Sequence, residues 1–342
     1  MRGLRSETIS AAALVAACGM LSAGTADAPG PAIGVRAIIH SVADLDKTVK
    51  FYRDGLGMQP VGQGGKPMTA MPAPQPLNED LSKFTDTHGA KFRNASFNIP
   101  GATFELELTE FTGTPVKKAV PHMQDPGAAT LVLTVRDVDA ALDGVKKNGG
   151  SVLSIGGEPM KIGGETSKSR SVFVRDPDGF MLELAAIQPA PKSSAPADSN
   201  ILGGRIGETI KDTDQTMRFY HDVLGFETKP ARTEFATDAT IASLIDAKGA
   251  HWRISSAKVP GTDVNFELLE FKAVPRKDFA LRVPDPGSPA VSIHVKDVES
   301  AMKSVAAGGG SIVTRGGEPV KLGPAMGVFV RDPNGLLIEL IP

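Results

Sequence analysis

The chain has 342 residues, 41% of them hydrophobic, and its 37 basic and 39 acidic residues give a formal net charge of -2. This length suits two domains of about 150 residues each. The balanced charge and the lack of basic runs argue against a nucleic-acid partner. Cys18 is the only cysteine, so the rest of the chain has no thiol for a disulfide framework, a cysteine nucleophile or a cysteine-based metal site.

Residues 1–28 have the pattern of an export signal. Two arginines precede the small apolar run ISAAALVAACGMLSAG, and residues 26–28 match the A-x-A pattern of a signal-peptidase site. The run is too short and too weakly apolar for a lasting membrane span. The string VAAC, which ends at Cys18, also resembles a bacterial lipobox. The sequence therefore predicts an exported, periplasmic or secreted protein, with a lipoprotein anchored through Cys18 as the alternative.

The remainder of the chain contains a long sequence repeat. FYRDGLGM (51–58) returns as FYHDVLGF (219–226), and VFVRDPDGFMLEL (172–184) returns as VFVRDPNGLLIEL (328–340). The spacing between the copies shortens along the chain, and the losses fall in Gly-, Pro- and Ser-rich stretches. Loops tolerate such changes of length. The repeat therefore predicts two halves with one architecture.

A polar, proline-rich stretch separates the two copies. QPAPKSSAPADSN (188–200) is typical of a flexible, semi-extended linker. The predicted domains are therefore residues 33–187 and 201–342.

Each half contains a weaker internal repeat, so that one unit occurs four times. Every unit begins with a short strand, and aspartates then start the helices: Asp44, Asp137, Asp212 and Asp297. Glycines close the helices: Gly57, Gly149, Gly225 and Gly308. Strand-like stretches follow, and the repeated string is a hairpin whose turn is marked by DPDG at 176–179. The predicted unit is βαβββ and the fold class is α+β.

The combination of DLD-x-x-x-x-FY-x-D-x-LG early and RDPDG-x-x-x-EL at the close resembles the vicinal oxygen chelate superfamily. That superfamily includes glyoxalase I, bleomycin-resistance proteins, extradiol dioxygenases and methylmalonyl-CoA epimerase. The resemblance implies two tandem domains, each a pair of βαβββ modules that form a cupped mixed sheet with helices outside. It also implies a divalent metal in each cleft, held by two histidines and two glutamates. The fold alone does not identify the reaction.

The resemblance assigns positions in this sequence to those metal ligands. The glutamate positions of the two halves are held by Glu107 and Glu183, and by Glu267 and Glu339. The histidine positions hold Ala37 and Thr130, and Arg205 and Ala290. Two carboxylates without imidazole bind a transition metal weakly, and an inward Arg205 opposes a cation. The usual metal site is therefore expected to be absent, and no cofactor is predicted, although a divalent metal remains an alternative.

Four other positions are candidates for ligand binding. Arg205 is expected to pair with a glutamate where the family holds its metal. Arg93 and Arg253 each follow an aromatic residue at equivalent positions, and would clamp a carboxylate or phosphate if they face the cleft. Their alternative is a solvated strand position. Thr130 completes this set.

Three functional hypotheses follow. The favoured one is an exported protein that binds a small organic ligand without a metal, as bleomycin-resistance proteins do. The alternative is a metal-dependent glyoxalase-like lyase or isomerase, or an extradiol dioxygenase, whose catalytic carboxylates are those of Glu107 and Glu183 or of Glu267 and Glu339. The third is a structural tandem module. The sequence leaves the ligand and the oligomeric state open.

Overall fold

The structure is a computed structural model, which describes residues 30–62, 65–68, 70–164, 166–230 and 233–342. The predicted export signal, with Cys18, lies outside these residues. Across the described ranges, the helices are too short or too polar for any of them to span a membrane.

Each of the four predicted units folds as a strand, a helix and further strands. The first contains β1 (Ala32–Val42), α1 (Leu45–Lys50, continued by a π-helical turn Phe51–Gly55), β2 (Pro60–Val61), β3 (Gln75–Pro76), α2 (Glu79–Phe84), β4 (Lys91–Asn98) and β5 (Glu105–Thr112). The second contains β6 (Ala129–Val135), α3 (Val138–Lys147), β7 (Ser151–Val152), β8 (Met160–Lys161), β9 (Arg170–Arg175) and β10 (Met181–Ala186).

The second half repeats this order. Its first unit contains β11 (Ile201–Ile210), α4 (Thr213–Arg218, continued by a π-helical turn Phe219–Val223), β12 (Glu227–Lys229), α5 (Ala239–Leu244), β13 (His251–Lys258) and β14 (Asn265–Lys272). Its second unit contains β15 (Pro289–Val295), α6 (Val298–Ala307), β16 (Ser311–Ile312), β17 (Val320–Leu322), β18 (Ala325–Arg331) and β19 (Leu337–Ile341).

The local signals that define the units are confirmed. All four predicted aspartates are helix N-caps, and Asp44, for example, accepts a hydrogen bond from the backbone N–H of Lys47. The DPDG turn joins β9 to β10 as an antiparallel hairpin. In that turn Gly179 has a φ of 93°, a conformation that favours glycine.

The described strands form two mixed sheets. The first has the order β16-β18-β19-β15-β1-β5-β4-β2, and the second has the order β12-β13-β14-β11-β6-β10-β9-β7. In each sheet two units join through one antiparallel strand pair, β1 with β15 in the first sheet and β6 with β11 in the second. The α+β class and the construction of each sheet from a pair of modules are therefore confirmed.

The pairing of the units differs from the expected one. Consecutive units were expected to share a sheet, but the first sheet combines the first unit with the fourth, and the second sheet combines the second unit with the third. Strand composition did not reveal this, because all four opening strands mix buried apolar residues with a few polar ones, and this composition selects no particular partner. The halves 33–187 and 201–342 therefore describe the repeat, and neither contains a complete sheet.

Buried polar contacts hold the two sheets together within each half. In the first half, Nε2 of His40 on β1 lies 2.9 Å from Oδ2 of Asp176 in the β9–β10 turn. In the second half, the amide of Asn334 donates to Glu208 on β11. Burial, and next the charge of Asp332, raise the pKa of Glu208 well above its ordinary value. Each closing turn is thus fastened to the opening strand of the other sheet.

The crossed pairing predicts how the separated halves behave. Residues 30–187 alone would leave β1 and β6 as unpaired edges, because their partners lie in the other half. We expect each isolated half to be unfolded or dimeric, and a mixture of the two to assemble one to one. Sedimentation and circular dichroism check this, and a folded monomer of either half would contradict the crossed architecture.

Candidate functional site

Each sheet has a face that lies opposite its outer helices, and these two faces are named here the first and second clefts. The first cleft is lined by Ala37 and Ile39 of β1, Ala290 of β15, and Phe111 of β5, which pack in one apolar cluster. The short helix α2 covers it, and the ring of Phe84 lies 4.5 Å from that of Phe329. The equivalent helix α5 covers the second cleft.

The four predicted glutamates lie in the clefts, but in different pairs from those expected. The first cleft contains Glu107 and Glu339, and the second contains Glu183 and Glu267. Strand alternation, which turns every second side chain to one face, was applied correctly. The grouping within halves was wrong because it assumed that consecutive units share a sheet.

The four positions at which the family holds histidines are divided between the two sheets in the same way. Ala37 and Ala290 lie in the first cleft, whereas Thr130 and Arg205 belong to β6 and β11 of the second sheet. Thr130 lines the second cleft, as a ligand-binding candidate should.

An arginine bridges the two glutamates of the first cleft. Nη1 of Arg36 donates to Oε2 of Glu107 at 2.6 Å, and Nη2 donates to Oε2 of Glu339 at 3.1 Å. Nε donates to Oγ of Ser292, and Asn94 donates to the other oxygen of Glu107. Burial by itself lowers the pKa of Arg36, but the charges of both glutamates outweigh it and raise that pKa above its ordinary value. The single guanidinium therefore bridges both carboxylates and offsets one unit of negative charge.

The sequence reasoning missed Arg36 for a geometric reason. Ala37 faces the cleft, so regular alternation would turn Arg36 toward the helices. The ladder between β1 and β15 has an irregularity between Val35 and Ala37. Such a bulge re-aims one side chain, and here Arg36 reaches the glutamates on the same side as Ala37. Nothing in the sequence pattern marks this bulge.

The second cleft holds its arginine differently. Nε of Arg205 donates to Oε1 of Glu267 at 2.7 Å, which confirms the ion pair expected there. Glu183 accepts a hydrogen bond from the hydroxyl of Ser171 at 2.6 Å. Burial, and next the charge of Glu267, raise the pKa of Glu183 from 4.5 to about 7, against the lowering effects of Ser171 and Arg205. This carboxyl is therefore poised between its neutral and charged forms.

The second cleft is more apolar around its carboxylates than the first. Ser292 and Asn94, which contact the ion group of the first cleft, are replaced at the equivalent ladder positions by Val132 and Ile254. Glu183 is only 3% exposed, and its neighbour on β6 is Val132, where Glu339 has Ser292 on β15. These apolar surroundings accompany the raised pKa of Glu183.

The second cleft also contains a hollow. Gly207 pairs with Glu267 on the neighbouring strand as Ile39 pairs with Glu107, so a glycine stands where the first cleft has a branched side chain. The resulting hollow contains about 410 Å³ of empty space, counted with its open mouth, and is lined by Met123, Thr130, Val132, Phe173, Glu183, Gly207, Ile241, Ile245, Trp252, Ile254, Glu267, Leu269 and Phe271.

Arg93 and Arg253 lie on the other face of the sheets. Arg93 pairs with Glu110 and with Asp46 of α1, and Arg253 pairs with Glu270. Glu110 and Glu270 in turn accept hydrogen bonds from backbone N–H groups at the start of α1 and α4. The aromatic residues before them, Phe92 and Trp252, face the clefts. The prediction that these arginines face a ligand in the cleft is therefore wrong. They bind glutamates that accept hydrogen bonds from the first residues of α1 and α4.

All six histidines lie in the described residues, and none lines either cleft. His40 faces away from the first cleft, as expected, and His294 hydrogen-bonds the carbonyl of Pro342 at the surface. The other four are exposed: His88, His122, His221 and His251. Within the described ranges, no three histidine, cysteine, aspartate or glutamate side chains form a group that could hold a metal ion.

The clefts do not fit the divalent metal that the fold family implies. A metal would need neutral imidazoles or further oxygens beside the carboxylates, and arginines already bind Glu107 and Glu339 in the first cleft and Glu267 in the second. Bringing a divalent cation next to a guanidinium adds repulsion in a partly buried site. No step of a reaction is therefore assigned to a metal.

The titration of Glu183 predicts a specific pH dependence of stability. The folded protein keeps its proton up to a pH of about 7, whereas the unfolded chain releases it near 4.5, so stability declines as the pH rises through this interval. In the wild type, Glu183 should make the free energy of unfolding fall by about 2–3 kcal/mol between pH 5 and pH 8. We expect Glu183→Gln to lack this fall. Urea unfolding of both proteins at several pH values measures it.

The matched control is Glu339→Gln at the equivalent position of the first cleft. This variant takes a partner from Arg36, so it should lower stability at both pH 5 and pH 8. Identical pH profiles for the wild type and Glu183→Gln would contradict the assignment of a raised pKa to Glu183.

Comparison with known proteins places this geometry in a family. A family model described as the Glyoxalase/Bleomycin resistance protein/Dioxygenase superfamily matches residues 36–184 and 205–340. A 2-epi-5-epi-valiolone epimerase from an Actinomyces species is 29% identical over 140 residues, 40% of this chain and 76% of that protein. A lactoylglutathione lyase from Arabidopsis thaliana is 28% identical over 190 residues, 55% of this chain and 53% of its own length. The match thus spans about half of the plant protein.

Solved structures show the same fold. Glyoxalase I from Zea mays has a TM-score of 0.56 at 19% identity, covering 90% of this chain and 91% of that one. A putative dioxygenase from Bacillus subtilis has a TM-score of 0.54 at 14% identity, covering 91% of this chain and 86% of that one. At such identities the likeness concerns the fold alone. Because the family model covers most of both halves, the chain belongs to the glyoxalase/bleomycin resistance protein/dioxygenase superfamily.

Proposed function

We propose that this protein binds a small organic molecule in the second cleft, without a metal ion at the glutamate positions. The observation that carries the proposal is the guanidinium beside the glutamates in both clefts, Arg36 in the first and Arg205 in the second. Each cleft thereby has a positive charge of the chain itself beside its carboxylates. A metal is not required to hold the opposed strands together.

The second cleft is the better ligand site of the two. Small-molecule sites are mostly apolar concavities with a few polar groups, and the hollow of the second cleft has apolar and aromatic walls beside Glu183 and Glu267. In the first cleft, Ile39 occupies the position that corresponds to Gly207, and Arg36 binds both carboxylates. We assign it a structural role.

A second candidate function is catalysis in the same cleft. The observation that favours it is the pKa of Glu183, about 7, which suits a group that takes up and returns a proton near neutral pH. Relatives named as an epimerase and a lactoylglutathione lyase are compatible with such an activity. In this reading Glu183 exchanges the proton, and Glu267 with Arg205 orients the substrate. Loss of turnover in Glu183→Gln with retained ligand binding would favour catalysis.

The exported location stays a prediction from residues 1–28. The two forms differ in their mature N-terminus, since signal-peptidase cleavage leaves residue 29 first, whereas lipoprotein processing leaves an acylated Cys18 first.

The test of the proposal makes the second cleft like the first. The double variant Gly207→Ile/Thr130→Ala carries the residues that Ile39 and Ala290 provide in the first cleft. A Cβ at Gly207 would lie 3.3 Å from the Cβ of Thr130, and the alanine removes the branches beyond that atom. We expect the double variant to fold and to lose every ligand-induced rise in melting temperature that the wild type shows in a screen of small organic molecules.

Metal analysis supplies the second arm. The wild type is exposed to Zn²⁺, Ni²⁺, Mn²⁺ and Fe²⁺, desalted and measured for bound metal, and we expect no stoichiometric retention. One metal ion bound per protein molecule and lost on Glu267→Gln would contradict the proposal. If ligands still raise the melting temperature of the double variant, the second cleft is not their binding site.

A further inference from the structure

Glu208 and Asp332 form a buried pair of carboxyls between the two sheets. Glu208 lies on β11 of the second sheet, and Asp332 lies in the turn between β18 and β19 of the first sheet. They are 1% and 4% exposed, and their carboxyls are hydrogen-bonded to each other. A carboxylate only accepts hydrogen bonds, so this bond requires a proton on one of the two groups. Like charges in contact favour the same outcome, because they oppose the ionisation of both groups.

The other hydrogen-bond donors to this pair are neutral. Oδ1 of Asp332 accepts from three backbone N–H groups of its own turn at 2.8–3.0 Å. The amide of Asn334 donates to Oδ2 of Asp332 at 2.7 Å and to Oε1 of Glu208 at 2.8 Å. The hydroxyl of Tyr220 donates to Oε2 of Glu208 at 2.6 Å. These donors stabilise the carboxyls but bring no positive charge, whereas the shared proton removes one negative charge from the pair.

The charged side chains around the pair bind other groups. The guanidinium of Arg331 donates to two backbone carbonyls, and the ammonium of Lys211 pairs with Asp278. The neighbours that β6, β14 and the continued helix α4 contribute are uncharged: Ala129, Leu268, Thr216 and Tyr220. Burial raises the pKa of both carboxyls, that of Glu208 well above its ordinary value of 4.5, so the folded protein holds the proton where an exposed glutamate releases it.

The first half fastens the equivalent place with an imidazole. His40 and Asp176 stand where the second half has Glu208 and Asp332. Nε2 of His40 lies 2.9 Å from Oδ2 of Asp176, and both side chains are fully buried. An imidazole beside a carboxylate needs no carboxyl proton. The two halves therefore share a fastening point between the sheets, and the second half makes it from two carboxyls.

We propose that the proton shared by Glu208 and Asp332 is a pH-sensitive latch between the two sheets. With the proton in place, the β18–β19 turn is fastened to β11. Without it, two adjacent buried carboxylates repel each other and release the turn. Glu208 lies on the opposite face of β11 from Gly207, which lines the second cleft, so the latch does not depend on the ligand proposed above.

The latch is expected to be closed at low pH and open at high pH. Burial, and next the charge of Asp332, hold the pKa of Glu208 above the 4.5 of the unfolded chain. The stabilisation by the latch is therefore complete below pH 4.5 and is lost as the pH rises through the folded-state pKa. Hydrogen exchange of the whole protein between pH 5 and pH 9, corrected for the intrinsic exchange rate, follows the amides of the β18–β19 turn. We expect their protection to fall by up to about tenfold for each pH unit below the folded-state pKa.

Glu208→Gln tests the role of the proton directly. Its amide can donate to Asp332 as the protonated carboxyl does, but it does not titrate. In this variant the protection of the β18–β19 turn should lose its dependence on pH, and the β9–β10 turn should behave as in the wild type. The matched control His40→Gln changes the equivalent contact of the first half and should leave the pH dependence of the β18–β19 turn unaltered.

Two results would overturn the latch. Protection of the β18–β19 turn that stays constant from pH 5 to pH 9 in the wild type would do so without any variant. A fall in Glu208→Gln as large as in the wild type would do so as well, because the titrating group would then lie elsewhere.

Discussion

Arg36 is the contact on which the first cleft depends. One guanidinium binds Glu107 of β5, Glu339 of β19 and Ser292 of β15, so a single side chain connects both units of the first sheet across their seam. Removing a cation from such a partly buried group leaves carboxylates without compensation, which is more costly than the net stabilisation that the intact group provides. An ion group made of side chains thus connects opposed strands, at the place where the fold family holds a metal.

The two clefts have diverged from one plan through a few positions. The first has Ile39, Asn94 and Ser292, which fill space and surround an ion group. The second has Gly207, which leaves space, and Val132 and Ile254, which are apolar where the first has Ser292 and Asn94. The two sites therefore differ in what surrounds their carboxyls. In the first, Arg36 binds both glutamates, and in the second, Glu183 is buried with a raised pKa beside a hollow.

Much of the fold could be predicted from the sequence, because its signals are local. Aspartate caps, the DPDG hairpin and strand alternation depend on neighbours within a few residues, and Glu107 and Glu183 face the clefts as predicted. Which units share a sheet depends on contacts between strands about 250 residues apart in the first sheet and about 70 residues apart in the second, and no local pattern records that choice. Arg36 escaped prediction because a bulge reverses its side, and the pKa of Glu183 depends on which neighbours surround it.

The most direct measurement is anomalous diffraction from crystals grown with Ni²⁺ or Mn²⁺ in excess. If guanidinium groups replace the metal, the map will show no anomalous peak between Glu107 and Glu339 or between Glu183 and Glu267, and clear side-chain density for Arg36 bridging its two carboxylates. An anomalous peak at either glutamate pair, with the arginine displaced from its partner, would contradict the account.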